Sequence, residues 1–371
     1  MKLEQITNRQ VTMLFSLHHL GSAFLLLPGS LATTAKQDAW ISISFSLFFA
    51  LFLLLLHILL SKKMQNRSLT SYILFLFGRP LGRFIIFIYI ICYPLLISMT
   101  VLRDLGDFLG NAYLTVTPPE AFYFIFLVCV YYAIRSGLST IGRLAELLFF
   151  IVVLLFAIGY IPLLFDFELA NLQPIFDQGL KPVIAGSFTL LSFPYFENIF
   201  ILQLKDRFKH PDRWIKVWLK STVISGFMFF LVTLLSIGVL SEAITANLRY
   251  PSVFVVRTIS IANFFERFEV LVAVFWYITI FFRISLLTYI SLDGLRVSLH
   301  LHKPQNMIIP LLFLILFGAT IIWKDVSSLI EILSFWPFYA MVFGIVFPII
   351  LVIGGYIRKE PRKSTSRSES I

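Results

Sequence analysis

Leu17-His18-His19-Leu20-Gly21-Ser22, with Pro28-Gly29 beyond it, is one of two places where a long apolar run of this chain is interrupted. The other is Ser192-Phe193-Pro194-Tyr195-Phe196-Glu197, preceded by Gly186-Ser187-Phe188. Proline removes a backbone hydrogen bond and glycine relaxes the backbone, so a helix can unwind at either place. Unwound backbone at membrane depth survives only where it faces protein or a water-filled cavity. These two interruptions carry more information than the apolar runs around them.

The runs themselves set the class. A bilayer is crossed by about 20 mostly apolar residues. Ten segments meet that need, near 11–33, 39–61, 81–103, 118–135, 141–165, 182–204, 215–240, 268–295, 306–323 and 334–357. Of the 371 residues 58% are apolar and 13% charged, with 41 Phe, which leaves too little polar surface for a water-facing globule. We therefore expect one polytopic membrane domain over 1–357 and a basic, disordered tail over 358–371.

The net charge of +10 is distributed as a membrane protein distributes it, and nucleic acid is not an expected partner. With the N-terminus in the cytoplasm, the inner side carries 22 Lys and Arg and the outer side 7, so both termini are predicted to be cytoplasmic. Trp40, Trp214, Trp218, Trp323 and Trp336 fall near span ends, where an indole suits the headgroup layer. A cleaved signal peptide ending near Ala32-Thr33-Thr34-Ala35 is the competing reading of the first span. His18, His19 and Gly21 within that run, and the short loop into the next span, favour a retained helix.

The two interruptions fall in spans one and six, corresponding members of two five-span halves (about 11–165 and 182–357). Five is odd, so the second half enters the membrane inverted. Interrupted helices at matching positions of inverted repeats point to a binding site at the membrane midplane. A half-helix N-terminus offers N–H groups and a positive dipole end to a carboxylate, and the facing carbonyls attract an ammonium. Such a site suits an amino acid. Gly21 and Ser22 would expose the N–H groups. Ser192 and Phe193 would present carbonyls, with Pro194 holding the break open and Tyr93 and Tyr195 walling the pocket.

Glu146, Glu197 and Arg283 are read as ionisable groups held within the membrane. Charged groups there are expensive and default to function. One reading has Arg283 replacing a coupling cation between the repeats, with Glu197 and Glu146 as partners. The other is a structural salt-bridge set, with Glu146 reaching the inner headgroups. His18, His19 and His57 are read as packed side chains. Asp104 and Asp107 are read as a solvated outer end.

Cys92 and Cys129 both lie inside apolar runs, which argues against a disulfide framework and a Cys-based zinc site. His-Glu-x-x-His, Gly-x-Ser-x-Gly and a phosphate-cradling Gly-rich loop are missing from the sequence. Neither catalysis nor a cofactor or metal is expected.

Taken in order, several pieces resemble the B-subunits of GerA-type spore germinant receptors, also called spore germination permeases. They are Gln10, Leu20-Gly21-Ser22 and Pro28, Asp38-Ala39-Trp40, and Thr117-Pro118. Ile141-Gly142-Arg143-Leu144-Ala145-Glu146, Phe193-Pro194-Tyr195-Phe196-Glu197 and Arg283 complete the set. The family is related to the amino acid–polyamine–organocation (APC) transporters. The resemblance implies an all-α, LeuT-like 5+5 inverted repeat of ten helices, with helices one and six discontinuous. It also implies residence in the inner membrane of the dormant spore, beside a larger membrane A-subunit and a lipoprotein C-subunit. The family often has Gly where this chain has Tyr195 or Phe196, and an aromatic there would reshape the pocket. The function expected is recognition of a small nutrient that triggers germination. A proton-coupled amino acid transporter of the same fold is the alternative.

Overall fold

The computed structural model describes residues 5–65, 67–112, 117–259, 268–322 and 335–358. The tail from 359, with Arg267, Trp323 and Lys324, lies outside the described residues. Among the described residues the chain is helical, and its only β feature is an isolated parallel bridge between Ile6 and Phe208. The first five helices are α1 (Asn8–Ala35), α2 (Ala39–Met64), α3 (Leu69–Phe77), α4 (Arg79–Ile90) and α5 (Leu96–Ala112). There follow α6 (Pro119–Arg135), α7 (Leu138–Tyr160), α8 (Leu180–Leu190), α9 (Ile199–Leu204) and α10 (Trp214–Asn247). The chain continues through α11 (Pro251–Arg257), α12 (Glu269–Ser298), α13 (Ile308–Ile321) and α14 (Phe347–Ile357).

Among the described residues seven helical stretches are long and apolar enough to cross a membrane. They are Phe24–Met64, Arg79–Gly110, Leu138–Phe165, Pro211–Asn247, Glu269–Ser298, Pro304–Ile321 and Phe335–Ile357, so this is a multi-pass membrane protein. The difference from ten has a simple origin. Expected span four is α6, only 17 residues long. Expected span six is divided among α8, two short irregular turns and α9. Expected span one is the body of α1, whose latter part runs on through the Lys36–Asp38 turn into α2.

α1 corrects one expectation outright. It starts at a capping box, in which Gln10 N donates to Thr7 Oγ1 (3.3 Å) and Thr7 N donates to Gln10 Oε1 (3.1 Å). It then runs as 28 unbroken helical residues, so Gly21 and Ser22 lie in regular helix and not in an unwound centre. Pro28 leaves the Phe24 carbonyl without its helical donor, and Ser252 Oγ on α11 supplies one at 2.7 Å. A neighbouring hydroxyl has replaced the missing N–H, which removes the reason for the helix to open.

Span six does interrupt, in a particular way. Leu191–Tyr195, containing Pro194, is a π turn, and Phe196–Asn198 follows as a 3₁₀ turn before α9. A second π turn, Ile91–Leu95, joins α4 to α5 and contains Pro94. A third, Val342–Val346, stands just ahead of Pro348. A proline ring collides with the carbonyl four residues back, and widening the turn relieves that collision.

α1 is the hub. Leu14, Phe15, Leu17, His18, His19 and Leu20 are all fully buried, as a helix enclosed on every side must be. Close packing stands in for a hydrophobic drive between helices in lipid. Gly21 shows how close: a Cβ there would lie 2.7 Å from Arg283 Cβ and 2.8 Å from the Thr279 carbonyl of α12. The opposite faces of the outer helices carry exposed apolar side chains, Phe48 and Phe52 on α2 and Phe150 and Leu154 on α7. Three of the tryptophans expected near span ends are enclosed by protein. Trp214, Trp218 and Trp336 are buried, and Trp218 Nε1 donates to His57 Nδ1 at 3.1 Å.

Between α1 and α2, the Lys36–Asp38 turn anchors the loop that precedes α8. Phe176 N donates to Asp38 Oδ2 (2.9 Å) and Gln37 Nε2 donates to the Pro174 carbonyl (2.6 Å).

Candidate functional site

The interrupted sixth span and the intact first meet at a buried charge. Glu197 sits in the 3₁₀ turn that follows Pro194, so the disturbance that Pro194 introduces places its carboxylate beside α1. Arg283 on α12 donates from Nη2 to Glu197 Oε1 at 2.6 Å and from Nη1 to the His18 carbonyl at 2.9 Å. His18 Nε2 approaches Glu197 Oε2 to 2.9 Å, though without the directional geometry of a hydrogen bond. All three side chains are essentially inaccessible, with 2% of the Arg283 side chain exposed and none of the other two. A carboxylate and a guanidinium thus neutralise each other deep among α1, span six and α12.

A second polar chain runs beside the first. His19 Nε2 and Asn198 Oδ1 are 3.0 Å apart, and Asn198 Nδ2 donates to Thr222 Oγ1 at 3.1 Å. His19 Nδ1 and Ser225 Oγ are 3.0 Å apart. Tyr195 packs edge-on against the His19 ring at 5.6 Å, and its hydroxyl donates to the Thr222 carbonyl at 3.4 Å.

The sequence-predicted residues divide into three groups. Glu197 and Arg283 are brought together as a hydrogen-bonded pair. Pro194, Ser192 and Tyr195 lie at the same level, but Ser192 Oγ donates within its own helix to the Thr189 carbonyl at 2.7 Å. Tyr93 is buried and stacks on Phe343 at 4.7 Å, with Phe200 standing between it and His18. Phe193 turns away and stacks on Trp336 at 6.0 Å. Gly21 faces α12 directly and packs on Arg283. Ser22 is helical in its backbone, and its side chain lies outside the description.

Glu146 does not join the cluster, which corrects the expectation that it partners Arg283. It pairs with Arg9 Nε at 3.0 Å and accepts from Gln10 Nε2 at 3.1 Å, with 30% of its side chain exposed. The reason is register: Glu146 is in the third turn of α7, level with the start of α1. Asp107 departs as well. It bridges Arg103 (3.0 Å) and Arg249 (3.2 Å) in place of standing free in solvent.

His18, His19, Asn198, Thr222 and Ser225 are the functional candidates that single-residue reading passed over. A signal existed. Asn198 directly follows Glu197, and Ser221, Thr222 and Ser225 put hydroxyls on one face of α10 at helical spacing.

Several buried polar atoms around the cluster have no hydrogen-bond partner: His18 Nδ1, Arg283 Nε, Glu197 Oε2, and the hydroxyls of Tyr89 and Tyr93. Native interiors satisfy nearly all such atoms, so each of these has room for a partner from outside the chain, water or ligand. Among the described residues there is no group of three or more His, Cys, Asp or Glu able to hold a metal.

Fold and site together define a multi-pass helical membrane protein organised around a buried Glu–Arg pair between its first, sixth and eighth expected spans. The spore germination protein family matches residues 5–327, and the chain belongs to that family. It is 28% identical over 375 residues to Spore germination protein KB of Bacillus subtilis (strain 168), covering 100% of both chains. It is similar also to Spore germination protein A2 of the same strain, at 27% identity over 90% of each chain. Spore germination protein XB of Bacillus anthracis shares 26% identity over 88% of this chain and 91% of its own.

Proposed function

We propose that this chain is the nutrient-recognising membrane subunit of a spore germinant receptor. It lies in the spore inner membrane with both termini cytoplasmic, in association with a membrane A-subunit and a lipoprotein C-subunit. The ten expected spans form a 5+5 inverted repeat, and the ligand, an amino acid, binds at the midplane between helix one and the interrupted helix six. The observation that carries this reading is the buried His18–Glu197–Arg283 cluster with its unsatisfied polar atoms, at the level where Pro194 disturbs the helix.

The chemistry is that of ion exchange. An ammonium group can replace part of the Arg283 contact to Glu197, while the ligand carboxylate takes up the guanidinium donors so released. The tyrosine hydroxyls and His18 Nδ1 gain partners in the same step. A ligand shifts a two-state protein only as far as its affinities for the two states differ. Re-pairing of a buried ion pair that ties α1 to α12 gives that difference, and movement of α12 against α1 carries it toward the partner subunits.

The test is to delete the gene in its host, prepare spores, and follow loss of refractility across a panel of amino acids and other nutrients. Loss of response to some nutrients and not others is expected, with complementation by the wild-type gene and not by Glu197→Gln. Survival of every response, together with ligand accumulation by the purified chain in vesicles, would overturn the receptor reading in favour of a transporter.

A further inference from the structure

Two cavities lie on a single seam between α6 and α13, which pass each other in opposite directions. Where α6 ends and α13 begins, a cavity of about 190 Å³ is lined by Arg135, Arg207, Asp293 and Arg296, with Ile308 at its inner edge. One residue further along α13 a second cavity opens, of about 260 Å³. It is walled by Leu127, Val128 and Tyr131 from α6 and by Leu312, Phe313 and Leu316 from α13. The first cavity is basic and the second apolar.

At the basic cavity Arg135 and Arg296 bring two accessible guanidinium groups. Asp293 is shared: Arg207 donates to its carboxylate and to the Tyr289 hydroxyl, and Arg296 Nη2 donates to the same carboxylate oxygen at 3.2 Å. Arg135 meets only a phenol there, donating to Tyr131 Oη at 2.8 Å. Asp293 is the carboxylate of the lining, and Arg207 and Arg296 already engage it. Arg135 and Arg296 are the accessible members, so their donors are open to an incoming anion.

We propose that this seam binds an anionic phospholipid, its phosphodiester headgroup between Arg135 and Arg296 and an acyl chain along the apolar groove between α6 and α13. Guanidinium groups suit phosphate oxygens because their donors are forked and permanently charged. The adjoining apolar cavity is what distinguishes a lipid from a free anion, since a free anion has no use for Leu127, Val128 or Phe313. Basic pockets between spans on the cytoplasmic side recognise acidic headgroups, and this end of the bundle is the cytoplasmic one on the topology proposed above.

The purified full-length protein in detergent is to be exposed to phosphatidylglycerol, to phosphatidylcholine of the same acyl chains, and to inorganic phosphate. Retained lipid is then read by native mass spectrometry. Phosphatidylglycerol is expected to be held about 30-fold better than phosphatidylcholine, the preference that two basic contacts at a membrane surface confer. In Arg135→Gln/Arg296→Gln that ratio falls toward one, and in Leu312→Trp both lipids are held less well. Both arginines are accessible, and the comparison of the two lipids on the wild-type chain stands without any variant. Equal retention of the two lipids, or an unchanged ratio in the double variant, overturns the proposal. So does displacement of phosphatidylglycerol by millimolar phosphate alone, which assigns the cavity to a free anion.

Discussion

Arg283 Nη2 lies 2.6 Å from Glu197 Oε1, joining α12 to the irregular turn of span six, with 2% and 0% of the two side chains exposed. Removing one member of a buried pair strands the other, at a cost of about 3–5 kcal/mol. Arg283→Gln is therefore expected to lower the thermal midpoint of the purified protein more than the double change Arg283→Gln/Glu197→Gln does. A midpoint for the double variant below that of either single variant would show that the pair is not the coupled unit described here.

Ser252 and Pro28 form a second coupled pair. Ser252→Ala leaves the Phe24 carbonyl buried without a donor, and we expect a loss of about 1–3 kcal/mol. Pro28→Ala supplies a backbone N–H to that same carbonyl. In the Pro28→Ala background Ser252→Ala is expected to cost measurably less, read from thermal unfolding of all four proteins in one detergent.

Gly21→Ala distinguishes packing from ligand contact. Helix propensity favours alanine by at most about 1 kcal/mol. The new Cβ, however, falls 2.7 Å from Arg283 Cβ and 2.8 Å from a backbone carbonyl that cannot swing aside. Overpacking of that kind costs about 1–3 kcal/mol, so the net expectation is a destabilised protein. An unchanged or raised midpoint would mean that α1 and α12 separate there at no cost.

Glu146 is the contrasting carboxylate. Its pair with Arg9 is largely exposed, and such pairs contribute about 0–1 kcal/mol. Glu146→Gln is expected to leave both the thermal midpoint and the nutrient response near wild type. Glu197→Gln is expected to abolish the response.

Much of this was legible in the sequence, for reasons that particular residues make plain. Arg283 and Glu197 stand out because ionised groups are rare in apolar runs, and that rarity already suggested that they meet. Pro194 announced the irregular turn. Pro28 announced one as well, and the structure has none, because the remedy is a hydroxyl 224 positions further along the chain. No local pattern encodes that. Glu146 was misplaced for a related reason: hydropathy says how apolar a segment is, whereas depth depends on the registry of α7 against α1. The two histidines were undervalued because their partners, Asn198 and Ser225, are assembled only by the fold.

The His19 ring has one further consequence. Asn198 Nδ2 is committed to Thr222, so Asn198 Oδ1 faces His19 Nε2 and requires that nitrogen to carry a hydrogen. In the neutral ring Nδ1 is then bare, and only the Ser225 hydroxyl can cover it. That hydroxyl has a single hydrogen and a rival acceptor, the Ser221 carbonyl at 2.9 Å. A second proton on the imidazole would free Ser225 to turn back to its own helix. The tautomer that Asn198 imposes on a ring of α1 thus sets which way one hydroxyl on α10 turns.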